Sequence, residues 1–68
     1  MYNESKIIIY KNKIDIINYL DIIHFDDSQI IIKTKKELLN IIGTNLVISK
    51  LITDEVLITG TIKSIEFR

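Results

Sequence analysis

Residues 38–67 read LLNIIGTNLVISKLITDEVLITGTIKSIEF. Aliphatic side chains recur at alternate positions in this stretch: Leu39 and Ile41, Leu46 and Ile48, Val56 and Ile58. Period two, bounded by polar turn residues, is the pattern of strands. Two glycines punctuate it, each followed by threonine, at Gly43-Thr44 and Gly60-Thr61. Glycine at the first central position of a two-residue loop signals a type II′ hairpin. The reading is therefore four strands, at 38–42, 45–50, 56–59 and 62–67. A hairpin is expected at each Gly-Thr pair and a turn over 52–55.

The rest of the chain extends the pattern. Isoleucine fills eighteen of the 68 positions, and alanine, proline, cysteine and tryptophan are missing. Two heavy atoms on Cβ stiffen χ1, which disfavours helix and suits a pleated, half-buried surface. Further strands are expected at 6–10, 13–17, 22–25 and 29–34. Lys11-Asn12 reads as a tight turn, with asparagine able to take a positive φ, and Asp26-Asp27-Ser28 as a turn held by side-chain to backbone bonds. Asn18 to Asp21 is a looser connection. Residues 35–39 hold good helix formers, but Asn40, Ile41 and Ile42 end them within about a turn and a half, which favours strand.

Short connections favour sequential antiparallel pairing. The expected fold is all-β, a small curled antiparallel meander or roll of about seven to eight short strands. The alternative is a short β-helix-like solenoid. Ile14-x-Ile16-x-Asn18, Leu39-x-Ile41-x-Gly43 and Val56-x-Ile58-x-Gly60 share one form, at spacings of 25 and 17 residues. A solenoid keeps a fixed period, so the roll is preferred.

Several segments are apolar on both faces, including Ile7-Ile8-Ile9, Ile30-Ile31-Ile32 and the pairs at 16–17, 22–23 and 41–42. A lone sheet would leave one greasy face in water, so a second layer must cover it, from the same curled sheet or from a neighbour. Left bare, such runs are adhesive edges.

Length and composition narrow the function. Residues 1–68 make one domain, and a chain this small buries only about 60% of its unfolded surface. Small scaffolds add disulfides, a metal or a partner. Without cysteine there is no disulfide and no thiolate metal site, and one histidine does not anchor zinc without several carboxylates. Association with a copy of itself or with another protein is the remaining route. Nine basic and nine acidic residues cancel, so no strongly positive nucleic-acid face is expected. The charged run at 33–37 reads as a solvated turn. No stretch of about 20 apolar residues is available to span a membrane. The first residues, MYNESK, lack the features of a secretory signal, and a cytoplasmic location is expected.

Catalytic chemistry finds little to work with. His24 is the one side chain poised to titrate near neutral pH, and it precedes Asp26 and Asp27. No nucleophile completes a triad, and a solvent-facing strand residue is the better reading. Asp26-Asp27-Ser28 lacks the acidic spacing of an EF-hand and reads as turn chemistry. The glycines form no phosphate loop. Tyr2, Tyr10, Tyr19, Phe25 and Phe67 are not interleaved with arginine, and core or sheet-face packing is preferred to base stacking. The expectation is no enzyme, with no catalytic, cofactor-binding or metal-binding residues.

From Ile14 onward the chain reads IDIINYLDIIHFD, then IIIKT, then LLNIIGTNLVI, then LITDEVLITGTIKSIEF. This resembles the YabP/YqfC family of small sporulation proteins of Firmicutes over about residues 14–67. The matching positions include Phe25, Thr34, Gly43, Leu46, Ile48, Leu51 and Gly60, and they serve as a structural signature. Asn18 and Glu37 stand where that family usually has glycine. Asparagine tolerates the left-handed region, so the first departure is mild, whereas Glu37 implies an altered turn. The resemblance implies a non-enzymatic protein of the mother cell, acting by protein–protein association in spore envelope (coat and cortex) formation. It implies a cytoplasmic location, peripheral at the forespore membrane, with itself or another sporulation protein, membrane proteins included, as partner. The alternative is a small nucleic-acid-binding β-barrel, which the neutral charge opposes.

Overall fold

The structure, a computed structural model, describes residues 4–68. Six strands form in chain order: β1 (Lys6–Tyr10), β2 (Lys13–Ile17), β3 (Asp21–Phe25), β4 (Gln29–Lys33), β5 (Leu38–Ile52) and β6 (Glu55–Phe67). There is no helix among the described residues, and hence none long and apolar enough to cross a membrane. All pairings are antiparallel within one open sheet, in the order β1-β2-β6-β5-β4-β3.

Two expectations need correction. The strands number six because neither Gly-Thr pair is a hairpin. The chain runs straight through both, and the stretches expected as four strands are two long ones of 15 and 13 residues. The β5–β6 register slips between Ile42 and Gly43, Thr44 and Val47, and Ile48 and Lys50, and such bulges bend a strand and increase its twist. The glycines serve close backbone approach instead. A Cβ on Gly43 would lie 2.1 Å from the Thr61 carbonyl oxygen, and one on Gly60 would lie 2.6 Å from that of Asn45. Gly60 also holds φ at +136°, and Asn45 in the bulge opposite takes +53°. Thr44 and Thr61 face each other across the bend.

Sequential pairing also fails at one step. β2 pairs with β6, not β3. The bend explains it by dividing the sheet into two layers. One holds β1, β2, residues 55–59 of β6 and residues 47–52 of β5. The other holds β3, β4, residues 38–42 of β5 and residues 62–67 of β6. Residues 18–20 cross from layer to layer, so a three-residue link suffices between strands four places apart in the sheet order.

The layers close on one core. Ile14, Ile16, Val56 and Ile58 come from the first layer and Ile30, Ile32, Leu39 and Ile41 from the second, all fully buried, with Leu46 plugging the bend. Ile7, Tyr19, Ile22, Ile48, Ile62 and Ile65 pack around them. Isoleucine therefore finds its cover mainly inside the chain. The molecule measures 36 × 23 × 19 Å, and its thinnest dimension accommodates two packed layers separated by about 10 Å.

The internal repeat has a different partner set from the one read in sequence. Ile14-x-Ile16-x-Asn18 corresponds to Ile30-x-Ile32-x-Thr34, and Leu39-x-Ile41-x-Gly43 to Val56-x-Ile58-x-Gly60. Ile14 faces Ile58 and Ile16 faces Val56, just as Ile30 faces Ile41 and Ile32 faces Leu39. The hydrogen bonds repeat too. Gly60 N–H donates to Asn12 O at 3.2 Å, and Gly43 N–H to Ser28 O at 3.1 Å. Asn18 N–H donates to Asp54 O, and Thr34 N–H to Glu37 O. The two layers are thus related by an approximate two-fold through the β5–β6 bend.

The turns follow local chemistry. Asn18 takes the positive φ expected of it, at +64°, whereas Asn12 does not. Glu37 accommodates the loss of glycine without a positive φ. Thr34, buried in the run at 33–37 that is otherwise largely exposed, donates from Oγ1 to Glu37 O at 3.1 Å and accepts from Glu37 N–H at 3.3 Å.

Gly43→Ala and Gly60→Ala should each lower stability by about 2 kcal/mol or more, through steric strain at the bend. Ordinary glycine-to-alanine changes at compatible sites raise it by about 0.4–1 kcal/mol. Urea unfolding midpoints measure the difference. An unshifted or raised midpoint would refute close approach at these glycines.

Candidate functional site

The sequence placed chemical interest at His24 and the acidic turn after it. In the structure His24 Nε2 lies 2.8 Å from Asp26 Oδ2, and both side chains are roughly half exposed. Asp26 is fully engaged by its own turn. Its Oδ1 accepts from Ser28 N–H at 2.8 Å, Ser28 Oγ at 3.0 Å and Gln29 N–H at 2.8 Å. The Ser28 backbone bond, the His24 contact and the other donors hold its carboxyl far below the usual carboxylate range. The Asp27 carbonyl accepts from Leu46 N–H at 2.9 Å, tying the turn to the bend. No nucleophile completes the pair, and no group of three or more candidate metal ligands occurs among the described residues.

A second acidic pair went unseen in the sequence. Asp15 and Glu55 meet on the outer face of the first layer, diagonally across β2 and β6, where Asp15 faces Leu57 and Ile17 faces Glu55. Desolvation raises the Asp15 pKa, and the contact with Glu55 raises it further, while Lys50 opposes. Glu55 is held lower, first by the hydrogen bond from Asp15 and then by Lys50, whose Nζ lies 3.3 Å away. A single proton shared between the two carboxyls accounts for the opposite directions. Asp15 Oδ1 is buried without a partner in the protein. The signal was illegible because the partners lie far apart in the chain and meet only through the β2–β6 register.

The aromatic side chains depart from expectation. Among the described aromatics only Tyr19 packs on the core, with its hydroxyl donating to Ile52 O at 3.2 Å. Tyr10, Phe25 and Phe67 are 63%, 56% and 51% exposed. They lie on three different strands. Tyr2 lies outside the described residues.

Those exposed aromatics belong to a wider pattern. Each layer has two outer strands. They are β1 and the second half of β5 in the first layer, and β3 and the second half of β6 in the second. Ile9 and Tyr10 lie on β1, Ile23 and Phe25 on β3, Val47, Leu51 and Ile52 on β5, and Phe67 on β6. All are exposed. The remaining large exposed apolar side chain among the described residues, Leu20, is in the crossing link. None sits on an interior segment. Apolar exposure is thus concentrated where backbone donors and acceptors are also free. Polar pairs also occur on the surface: Gln29 Nε2 donates to Asn40 Oδ1 at 2.8 Å, and Arg68 NH2 donates to Glu66 Oε1 at 2.8 Å.

The free edges are the candidate site, since they present unpaired backbone groups beside exposed apolar side chains, the surface that an added strand would need. An open hollow of about 790 Å³ near one edge is lined by Tyr10, Lys11, Lys13, Asn45, Thr59 and Gly60, among others. It holds no buried polar side chain directed at a ligand.

The profile of the YabP family matches residues 2–68. The matched span takes in β1, which the resemblance read from residue 14 onward had left out. No curated protein and no solved structure matches the chain.

Asp15→Asn should stabilise the fold at neutral pH. The raised pKa means that the folded state holds the Asp15 proton more tightly than the unfolded chain. Its contribution is therefore largest below the ordinary aspartate value and is lost as pH rises through the folded value. The melting-temperature gain of Asp15→Asn should be larger at pH 7 than at pH 4. An equal gain at both would rule out the shared proton.

Proposed function

This chain belongs to the YabP family, and from that premise we propose that it is a non-enzymatic sporulation protein acting by protein–protein association in spore envelope formation. A member of this family is a sporulation-related protein. The finer reading assigns it to the mother cell, in the cytoplasm or peripheral at the forespore membrane, during coat and cortex assembly. Its partners are copies of itself or another sporulation protein, membrane proteins included.

One observation carries the association reading. Among the described residues, eight of the nine large exposed apolar side chains lie on the four free edge segments. An extended segment laid along such an edge gains main-chain hydrogen bonds, while alternate side chains gain apolar contact. A neutral balance of nine basic against nine acidic residues counts against a nucleic-acid partner, which draws most of its affinity from excess positive charge.

Deletion of the coding sequence in its host should leave vegetative growth unchanged and lower the yield of heat-resistant spores. Complementation with the wild-type chain should restore them. The double variant Phe25→Lys/Phe67→Lys should restore them poorly while retaining the wild-type far-ultraviolet circular dichroism. A deletion strain with normal spore yield and a normal coat and cortex by electron microscopy would sink the sporulation role. Full rescue by the edge variant would remove the β3 and β6 edges from it.

A further inference from the structure

Hydrogen-bond alternation fixes which backbone groups of β1 are free. In β2 the Asn12 carbonyl accepts from Gly60, and the Asn18 N–H donates to Asp54. Residues 12, 14, 16 and 18 therefore turn toward β6, and 13, 15 and 17 toward β1. Their partners there are Tyr10, Ile8 and Lys6. The N–H and C=O of Ile7 and Ile9 consequently point away from the sheet.

The other edges carry interruptions that β1 lacks. β3 is bulged between Ile22 and His24, and the Ile22 N–H is already taken by Asp21 Oδ1 at 2.8 Å. Register slips interrupt β5 between Ile48 and Lys50, and β6 opposite Ile42 and Gly43. β1 pairs without a break from Lys6 to Tyr10, and no charged residue occurs between Lys6 and Lys11. Bulges and mid-strand charges are the usual guards against edge-to-edge pairing.

We propose that β1 pairs antiparallel with β1 of a second copy about a two-fold axis at Ile8, giving a homodimer with one continuous eight-stranded layer. The proposal rests on the association reading above and names its first partner. The segment is self-complementary in that register. Ile7 faces Ile9 of the second copy and exchanges both backbone hydrogen bonds with it, and the reciprocal pair does the same. Ile8 faces its own symmetry mate. Ile9, 52% exposed in the single chain, is covered by Ile7 of the second copy. Lys6 faces Tyr10 and Lys11 faces Ser5, so no lysine meets a lysine. Glu4 lies at the turn that carries Lys11 of the second copy, opposite in charge. A chain of zero net charge adds no overall repulsion.

The absence of cysteine makes Ile8→Cys a single-thiol reporter. Ile8 faces its mate as a non-hydrogen-bonded pair, which sets the Cα atoms about 4.5 Å apart, within disulfide reach. Wild type should sediment at twice the chain mass of 7.9 kDa at micromolar concentration. Ile8→Cys should oxidise to a covalent dimer, while Phe67→Cys on the β6 edge should not. Ile9→Pro removes an outward N–H, which an edge strand tolerates, and should weaken the dimer about tenfold or more. If circular dichroism shows that this variant does not fold, Ile9→Lys should give the same loss.

A wild-type mass of 7.9 kDa throughout the micromolar range would overturn the dimer. So would cross-linking through Phe67→Cys but not Ile8→Cys. A monomer together with lost spore resistance in the deletion strain would refute the dimer and leave the sporulation role intact, with a different protein on the edge. A dimer together with normal spores would do the reverse.

Discussion

The close backbone contact between β5 and β6 at Gly43 and Gly60 is the constraint from which the architecture follows. Two strands of 15 and 13 residues are too long to lie in one flat sheet and also close on themselves. At the bend the Thr61 and Asn45 carbonyls occupy the space that side chains at Gly43 and Gly60 would need. Each long strand can therefore serve one layer with its first half and the other with its second. The layers then bury eight fully enclosed aliphatic side chains between them, with Leu46 at the bend. Ile58 and Ile41 reach one core from separate layers only because the same hairpin spans both.

The approximate two-fold gives each layer the same recipe. A short hairpin, β1–β2 or β3–β4, docks on the first half of a long strand. The second half of the other long strand completes the layer. This arrangement leaves four free edge segments because the sheet bends without closing into a barrel. A closed barrel would have no edges. In this fold the exposed apolar side chains gather on those edges, so the coincidence of apolar surface with unpaired backbone groups comes from the architecture as well as from composition.

Electrostatics plays a local part. Asp26 organises the turn between β3 and β4, and its low pKa reflects donors already in place. Asp15 and Glu55 instead crowd each other on the outer face of the first layer, and a shared proton eases the conflict. Neither pair brings a nucleophile with it. His24 remains an exposed edge residue whose nearest charge is committed to a turn.

Branched side chains at alternate positions determined, by themselves, an all-β chain, most strand positions, the turns at 11–12 and 26–28, and the need for a second layer. Stiff χ1 rotamers and local hydrogen bonding act within a few residues, so they are visible in the string. The family resemblance was legible for the same reason, since its signature is the spacing of core residues and turns. The candidate edges were legible only as isoleucine runs such as Ile7-Ile8-Ile9. Tertiary structure alone decided that Gly43 and Gly60 bend strands instead of ending them, because a glycine that forms a turn and one that admits a neighbouring carbonyl look identical in sequence. It also decided that β2 pairs with β6, that Asp15 meets Glu55, and which isoleucines remain on an edge. Each depends on register between distant segments, which is set by how the layers close over a common core.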